Sequence, residues 1–165
     1  MIFLTVGTYP LPFDRLIRAV DELVALGKVQ DSVLAQIGHS GYEPRFMRSV
    51  RMMDKVDFDE TMGASSAIIS HAGLGNISLA LEYLKPILVV PRLPAMGEVV
   101  NDHQLETARR FEALGHIIVS YSEDDIERKL ELLRAFRPKP RSATPRPVAE
   151  GIGRYLSALA GRLQP

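Results

Sequence analysis

There is no cysteine anywhere in the 165-residue chain. Disulfides and thiolate metal sites are therefore excluded, and a reducing compartment is compatible with the composition. There is no excess of charge of either sign, because 20 Lys and Arg balance 20 Asp and Glu. No overall field draws such a chain to nucleic acid. No apolar run approaches the roughly 18 residues that a membrane span needs. The apolar start at Met1–Val6 has no basic lead and breaks at Gly7, so it reads as a strand rather than a secretory signal. The four histidines show no zinc spacing and no HExxH is present, so no metal site is expected. GxGxxG, a Walker loop and a Tyr-x-x-x-Lys pair are all missing. These absences argue against a dinucleotide fingerprint, a GTPase, and an epimerase or oxidoreductase.

What is present is an ordinary globular balance, 46% apolar and 24% charged, at a length that suits one core. Short apolar runs recur at Ile2–Val6, Ser32–Ile37, Ala67–Ser70, Pro86–Pro91 and His116–Ser120, with a weaker one at Val50–Met53. Between them lie helical patterns. Phe13, Leu16, Ile17, Val20, Leu23 and Val24 repeat at spacings of 3 and 4 before Gly27. A short helix is expected over Asp57–Gly63 and another from Asn76 to about Leu84. A third is capped by Asn101 or Asp102 and stopped at Gly115, and a charged one covers Glu123–Phe136. Strands alternating with helices, each strand apolar on both faces, predict an α/β fold: a Rossmann-like, doubly wound, mostly parallel sheet over residues 1–136. Residues 137–147 hold four prolines and four basic residues with no acid. That stretch is an extended connector to a last helix over residues 148–165.

In such sheets ligands bind at the carboxyl ends of the strands, and three loops have that placement. Gly7 and Thr8 follow the first strand, where glycine admits a phosphate and the threonine hydroxyl can donate to it. His71-Ala72-Gly73-Leu74-Gly75-Asn76 joins a buried strand to a helix whose free N–H groups and positive dipole favour an anion. Asn101-Asp102-His103-Gln104 opens another helix with groups that can grip hydroxyls. Each loop also has a plain structural reading, as a tight turn, a glycine-rich turn around a core histidine, or a helix cap. Together they suit a nucleotide sugar.

At these residues the chain resembles the C-terminal domain of glycosyltransferase family 28. The resemblance lies in Thr5–Thr8, Phe13–Ile17, Ser70–Gly75, Lys85–Pro91 and Asn101–Glu106 and runs from about Ile2 to Ser120. More narrowly, the chain resembles stand-alone versions of that domain. These are the catalytic subunit of the two-part N-acetylglucosaminyltransferase of dolichol-linked glycan synthesis and PssE-type subunits of exopolysaccharide glycosyltransferases. The resemblance implies a single GT-B C-terminal-type domain that binds a UDP-sugar donor and needs neither a cofactor nor a metal. Substrate binding would fall to Gly7, Thr8, His71, Gly73, Leu74, Gly75 and Asn76, with Asn101, His103 and Gln104 on sugar or ribose. The acceptor-binding domain is expected on a separate membrane-anchored partner, which would supply the general base and present a lipid-linked acceptor. The chain itself would be cytoplasmic, held at the inner face of the membrane through that partner. The alternative is a non-catalytic nucleotide-sugar-binding module that regulates a polysaccharide assembly complex. Two departures stand out. Asn76 replaces the usual Thr or Ser, and Leu79 stands where related enzymes place a ribose-binding glutamate, with Glu82 one turn further on. Arg92 is the cation that sequence proximity offers to a sugar carboxylate.

Overall fold

The computed structural model describes residues 1–140, and the expected last helix over residues 148–165 lies outside them. The fold follows from alternation along short strands. In β1 (Ile2–Thr5) Ile2 and Leu4 face one side of the sheet and Phe3 the other. In β4 (Ala67–His71) Ile69 and Ile68 divide the same way, and in β5 (Ile87–Val90) Leu88 and Val90 face away from Ile87 and Val89. Side chains alternate across a strand, so a strand apolar on both faces needs a helix layer on each.

One layer is α1 (Asp14–Ala25) with α5 (Ile126–Ala135), which pack Leu16, Ile17, Val20, Ile126, Leu130 and Leu133 onto the first face. The other face is covered by α2 (Lys55–Ala64), α3 (Leu74–Glu82) and α4 (His103–Ala113), through Met62, Ile77, Ala80, Leu81 and Ala108. With β2 (Val33–Gln36), β3 (Arg48–Val50) and β6 (Ile118–Val119), the six strands run in the order β3-β2-β1-β4-β5-β6. Every pairing is parallel. This is the expected Rossmann-like, doubly wound sheet. The chain winds outward in one direction from β1 and in the other from β4, so the crevice between the carboxyl ends of β1 and β4 is the topological switch point.

Several boundaries differ from the sequence pattern. The third strand lies at Arg48–Val50 rather than Val50–Met53, and all three of its residues are exposed. An edge strand outside the core carries no apolar signature. α2 starts earlier than expected because Asp54 caps it, its carboxylate accepting from Asp57 N at 2.9 Å. Glu123–Phe136 divides into a 3-10 turn at Glu123–Asp125 followed by α5. Among the described residues, no helix is long and apolar enough to cross a membrane.

Candidate functional site

The polar residues of the strands cluster at the carboxyl edge. Thr5 and Ser70 are fully buried and Gln36 nearly so. The Thr5 hydroxyl donates to Gln36 Oε1 at 2.6 Å and accepts from Gly7 N at 3.1 Å. This fixes the turn after β1. Gly7 has φ of +74° there, a region open to glycine and strained for other residues.

Opposite it, His71 ends β4 and its ring fills the gap between two glycines. A Cβ at Gly7 would lie 2.6 Å from the ring's Cε1, and one at Gly73 would lie 2.3 Å from Nε2. Both positions must be glycine for the imidazole to sit where it does. Burial, then the charge of Arg92, lowers the His71 pKa to about 4, against a smaller opposing effect from a hydrogen bond to the backbone of Thr5. The imidazole is therefore neutral at physiological pH and meets an anion as a hydrogen-bonding group rather than as a cation. Ser70 Oγ stands 3.4 Å from its Nδ1 and accepts from Asn76 Nδ2 at 3.0 Å.

Gly73 is the N-cap of α3, no side chain caps this end, and no acid sits in its first turn. The first N–H groups of the helix therefore remain open to an external anion, with the helix dipole behind them.

These pieces share one cleft of about 610 Å³. Gly7, Thr8, His71, Gly73, Gly75 and Asn76 line it. Leu74, on the same helical turn, is 57% exposed and is not part of the cleft lining. Leu79 and Glu82 line the far end of the cleft on α3. The sequence reading missed the opposite wall, which is built by Gln36 from β2, Met53 and Asp54 from the loop after β3, and Lys55, Phe58 and Asp59 from α2. Their signal lay in topology, since all three elements end or begin at the carboxyl edge beside β1.

The third loop sits behind the cleft lining, in contact with the His71–Gly73 segment through Gln104. Asn101, His103 and Gln104 do not line the cleft. Asn101 Oδ1 accepts from His103 N at 3.2 Å in a turn just before α4, whose N-cap Asp102 makes no side-chain cap bond. His103 is exposed and faces Glu106 at 3.7 Å. Gln104 Oε1 accepts from Ala72 N at 3.2 Å and Arg92 N at 3.1 Å, so its carbonyl ties the ends of β4 and β5 together. Arg92 is not available to a sugar carboxylate. It is fully buried, and its guanidinium donates to the carbonyls of Val6, Leu11, Pro12 and Glu98. Among the described residues no group of three His, Asp or Glu side chains could hold a metal ion.

The glycosyltransferase family 28 C-terminal domain matches residues 1–152 of this chain. The chain belongs to that family. It is 42% identical over 108 residues to the UDP-N-acetylglucosamine transferase subunit ALG13 of Eremothecium gossypii, covering 63% of this chain and 49% of that protein. It is 32% identical over 125 residues to the human subunit of the same name, covering 70% of this chain and 10% of the human protein. The chain thus spans about half the length of the fungal relative and a tenth of the human one. Among solved structures, the solution structure of ALG13 superposes with a TM-score of 0.56 at 19% identity, covering 92% of this chain and 93% of that one. The crystal structure of the kitacinnamycin glycotransferase superposes with a TM-score of 0.62 at 16% identity, covering 81% of this chain and 34% of that one. The shared fold is that of a GT-B-type domain, with the cleft at the carboxyl edge of its sheet.

Proposed function

We propose that this chain is the UDP-sugar-binding subunit of a two-component glycosyltransferase that transfers a sugar to a lipid-linked acceptor in glycolipid or exopolysaccharide synthesis. The observation that carries this reading is the cleft at the switch point. There Gly7, the neutral His71 and the uncapped start of α3 converge on one concave anion site. A diphosphate fits the uncapped helix end, where backbone donors stabilise the leaving UDP without a metal. The rest of the nucleotide would extend toward Phe58 and Glu82, along the wall formed by α2 and the end of α3. Glu82 is the carboxylate on that wall nearest to the position Leu79 vacates.

Among the described residues, no candidate for a strong general base stands at the helix end. With its pKa lowered to about 4, His71 is a weak base at physiological pH, and the cleft carboxylates Asp54, Asp59 and Glu82 come from α2 with its cap and from the end of α3. The source we expect for the base and the acceptor site is a second, membrane-anchored chain. This chain would be cytoplasmic and peripheral to the membrane through that partner. The relatives named as UDP-N-acetylglucosamine transferase subunits make that sugar the first donor to test. Calorimetry of the full chain should show UDP binding with UMP weaker. Transfer from UDP-N-acetylglucosamine should require co-expression with an acceptor-binding partner. Full-rate transfer by this chain alone would refute the two-component reading, and absence of UDP binding would refute the donor-site reading.

A further inference from the structure

The residue after Pro91 places a charge in the core of the carboxyl edge. Arg92 is the largest of the fully buried side chains. Its Nη1 donates to the carbonyls of Leu11, Pro12 and Glu98 and its Nη2 to that of Val6, all at 3.0–3.1 Å. The ring of Phe13 lies 4.7 Å from the guanidinium carbon, and Nε has no partner. Among the described residues no carboxylate touches it. The Glu98 carboxylate is committed to Arg15, at 2.7 and 3.1 Å, and to Leu93 N at 2.9 Å. One buried carboxylate thus stands near two guanidinia and pairs directly with Arg15 alone. Glu123 stands 3.5 Å from Arg15 Nη1, but its side chain is 34% exposed, so water screens it. The cluster keeps an excess of positive charge out of water.

Burying an uncompensated cation is strongly unfavourable. Binding the loop carbonyls is one gain that offsets it. Three of those carbonyls, of Val6, Leu11 and Pro12, belong to the turn that presents Gly7 and Thr8 to the cleft. The charge also reaches the cleft itself, since after burial it is the main influence that disfavours protonated His71. An anion in the same place would be favoured by the same field.

We propose that Arg92 is a positioning residue for the donor: it holds the turn carrying Gly7 and Thr8, and its buried charge raises the affinity of the cleft for a diphosphate, with Glu98 setting how much of that charge is felt. The proposal rests on the donor-site reading above. It assigns a binding role to a side chain that makes no contact with the cleft.

The test uses the full chain with Arg92→Met, Arg92→Lys and Glu98→Gln. Glu98→Gln removes the counter-charge while keeping an acceptor for Leu93 N. The probes are UDP and uridine in solution titrations, with the His71 imidazole followed by NMR in the ligand-free protein. The other titratable groups lining the cleft, Asp54, Lys55, Asp59 and Glu82, are unchanged in all variants. Arg92→Met should weaken UDP roughly tenfold while leaving uridine within about twofold, and Arg92→Lys should recover most of the loss. Glu98→Gln should tighten UDP by about threefold. The His71 titration should move up in Arg92→Met and further down in Glu98→Gln, a change that a purely structural role would not produce. If Arg92→Met fails to fold, the sign of the Glu98→Gln effects decides alone. Wild-type binding of UDP that stays unchanged in the folded variants, with the His71 titration unmoved, overturns this inference and leaves the donor site standing. A wild-type chain that does not bind UDP overturns both.

Discussion

Gly73→Ala isolates the packing that shapes the cleft. The backbone at Gly73 has φ −75° and ψ 126°, which any L-residue adopts, so alanine brings no conformational strain. The whole effect comes from one contact. The new Cβ would lie 2.3 Å from His71 Nε2 and 3.0 Å from both Cδ2 and Cε1. Ordinary carbon contacts fall at about 3.5–4.0 Å, so the overlap exceeds an ångström. The ring cannot retreat toward Gly7, where a Cβ would already be 2.6 Å from Cε1. Either the imidazole leaves its slot or the start of α3 shifts. Overpacking of this kind costs about 1–3 kcal/mol. Gly7→Ala should cost more, since its φ of +74° adds left-handed strain of about 1–2 kcal/mol. Gly75→Ala is the control: nothing lies within 4 Å of its Cβ, so stability should hold or rise by about 0.5 kcal/mol. Urea unfolding measures all three. In a double-mutant cycle, His71→Ala should recover at least about 1 kcal/mol of the Gly73→Ala cost. A Gly73→Ala protein as stable as wild type, or a cost that His71→Ala leaves intact, would refute the cradle.

Three further outcomes follow from named contacts. The folded chain holds His71 neutral down to about pH 4, whereas the unfolded residue protonates near 6.5. Its contribution to stability is therefore complete above 6.5 and is lost as the pH falls toward 4, a change of up to about 3 kcal/mol. Urea midpoints across that window should vary less in His71→Gln than in wild type, and equal slopes would contradict the assignment. Gln104→Ala should cost about 1–3 kcal/mol in the same assay, because Ala72 N and Arg92 N lose their shared acceptor, while Gln104→Glu keeps it. His103→Ala should change stability by less than about 0.5 kcal/mol, since the side chain is exposed and its one ion partner is Glu106. A measurable loss of UDP affinity in His103→Ala would place the third loop at the donor although it is not part of the cleft lining.

The fold could be read from the sequence because its signals are local. Both faces of β1, β4 and β5 are apolar, and the stripe of Leu16, Ile17 and Val20 marks α1 on its own. β3 gives no such signal, since Arg48, Ser49 and Val50 pair with β2 through backbone alone and stay exposed. Gly7, His71 and Gly73 stood out because glycines at βα turns have a local reason to be there. The role of Gln104 could not be read locally. The Asn101–Gln104 turn offers hydroxyl-binding groups on paper, but the Gln104 carbonyl is claimed by two N–H groups more than ten residues away in sequence. Arg92 is the same case with the sign reversed. A loop arginine reads as exposed, and only the convergence of carbonyls from Val6, Leu11 and Pro12 makes its burial tolerable. Phe58 and Lys55 joined the cleft through sheet order, which brings α2 beside β1 across distant stretches of chain.

An NMR titration of the full chain with UDP tests the central claim most directly. Saturable shifts are expected in the amides of Gly7, Thr8, Gly73, Leu74, Gly75 and Asn76, with Asn101 and His103 little changed. No saturable shift, or shifts that leave the start of α3 untouched and gather elsewhere, would contradict it.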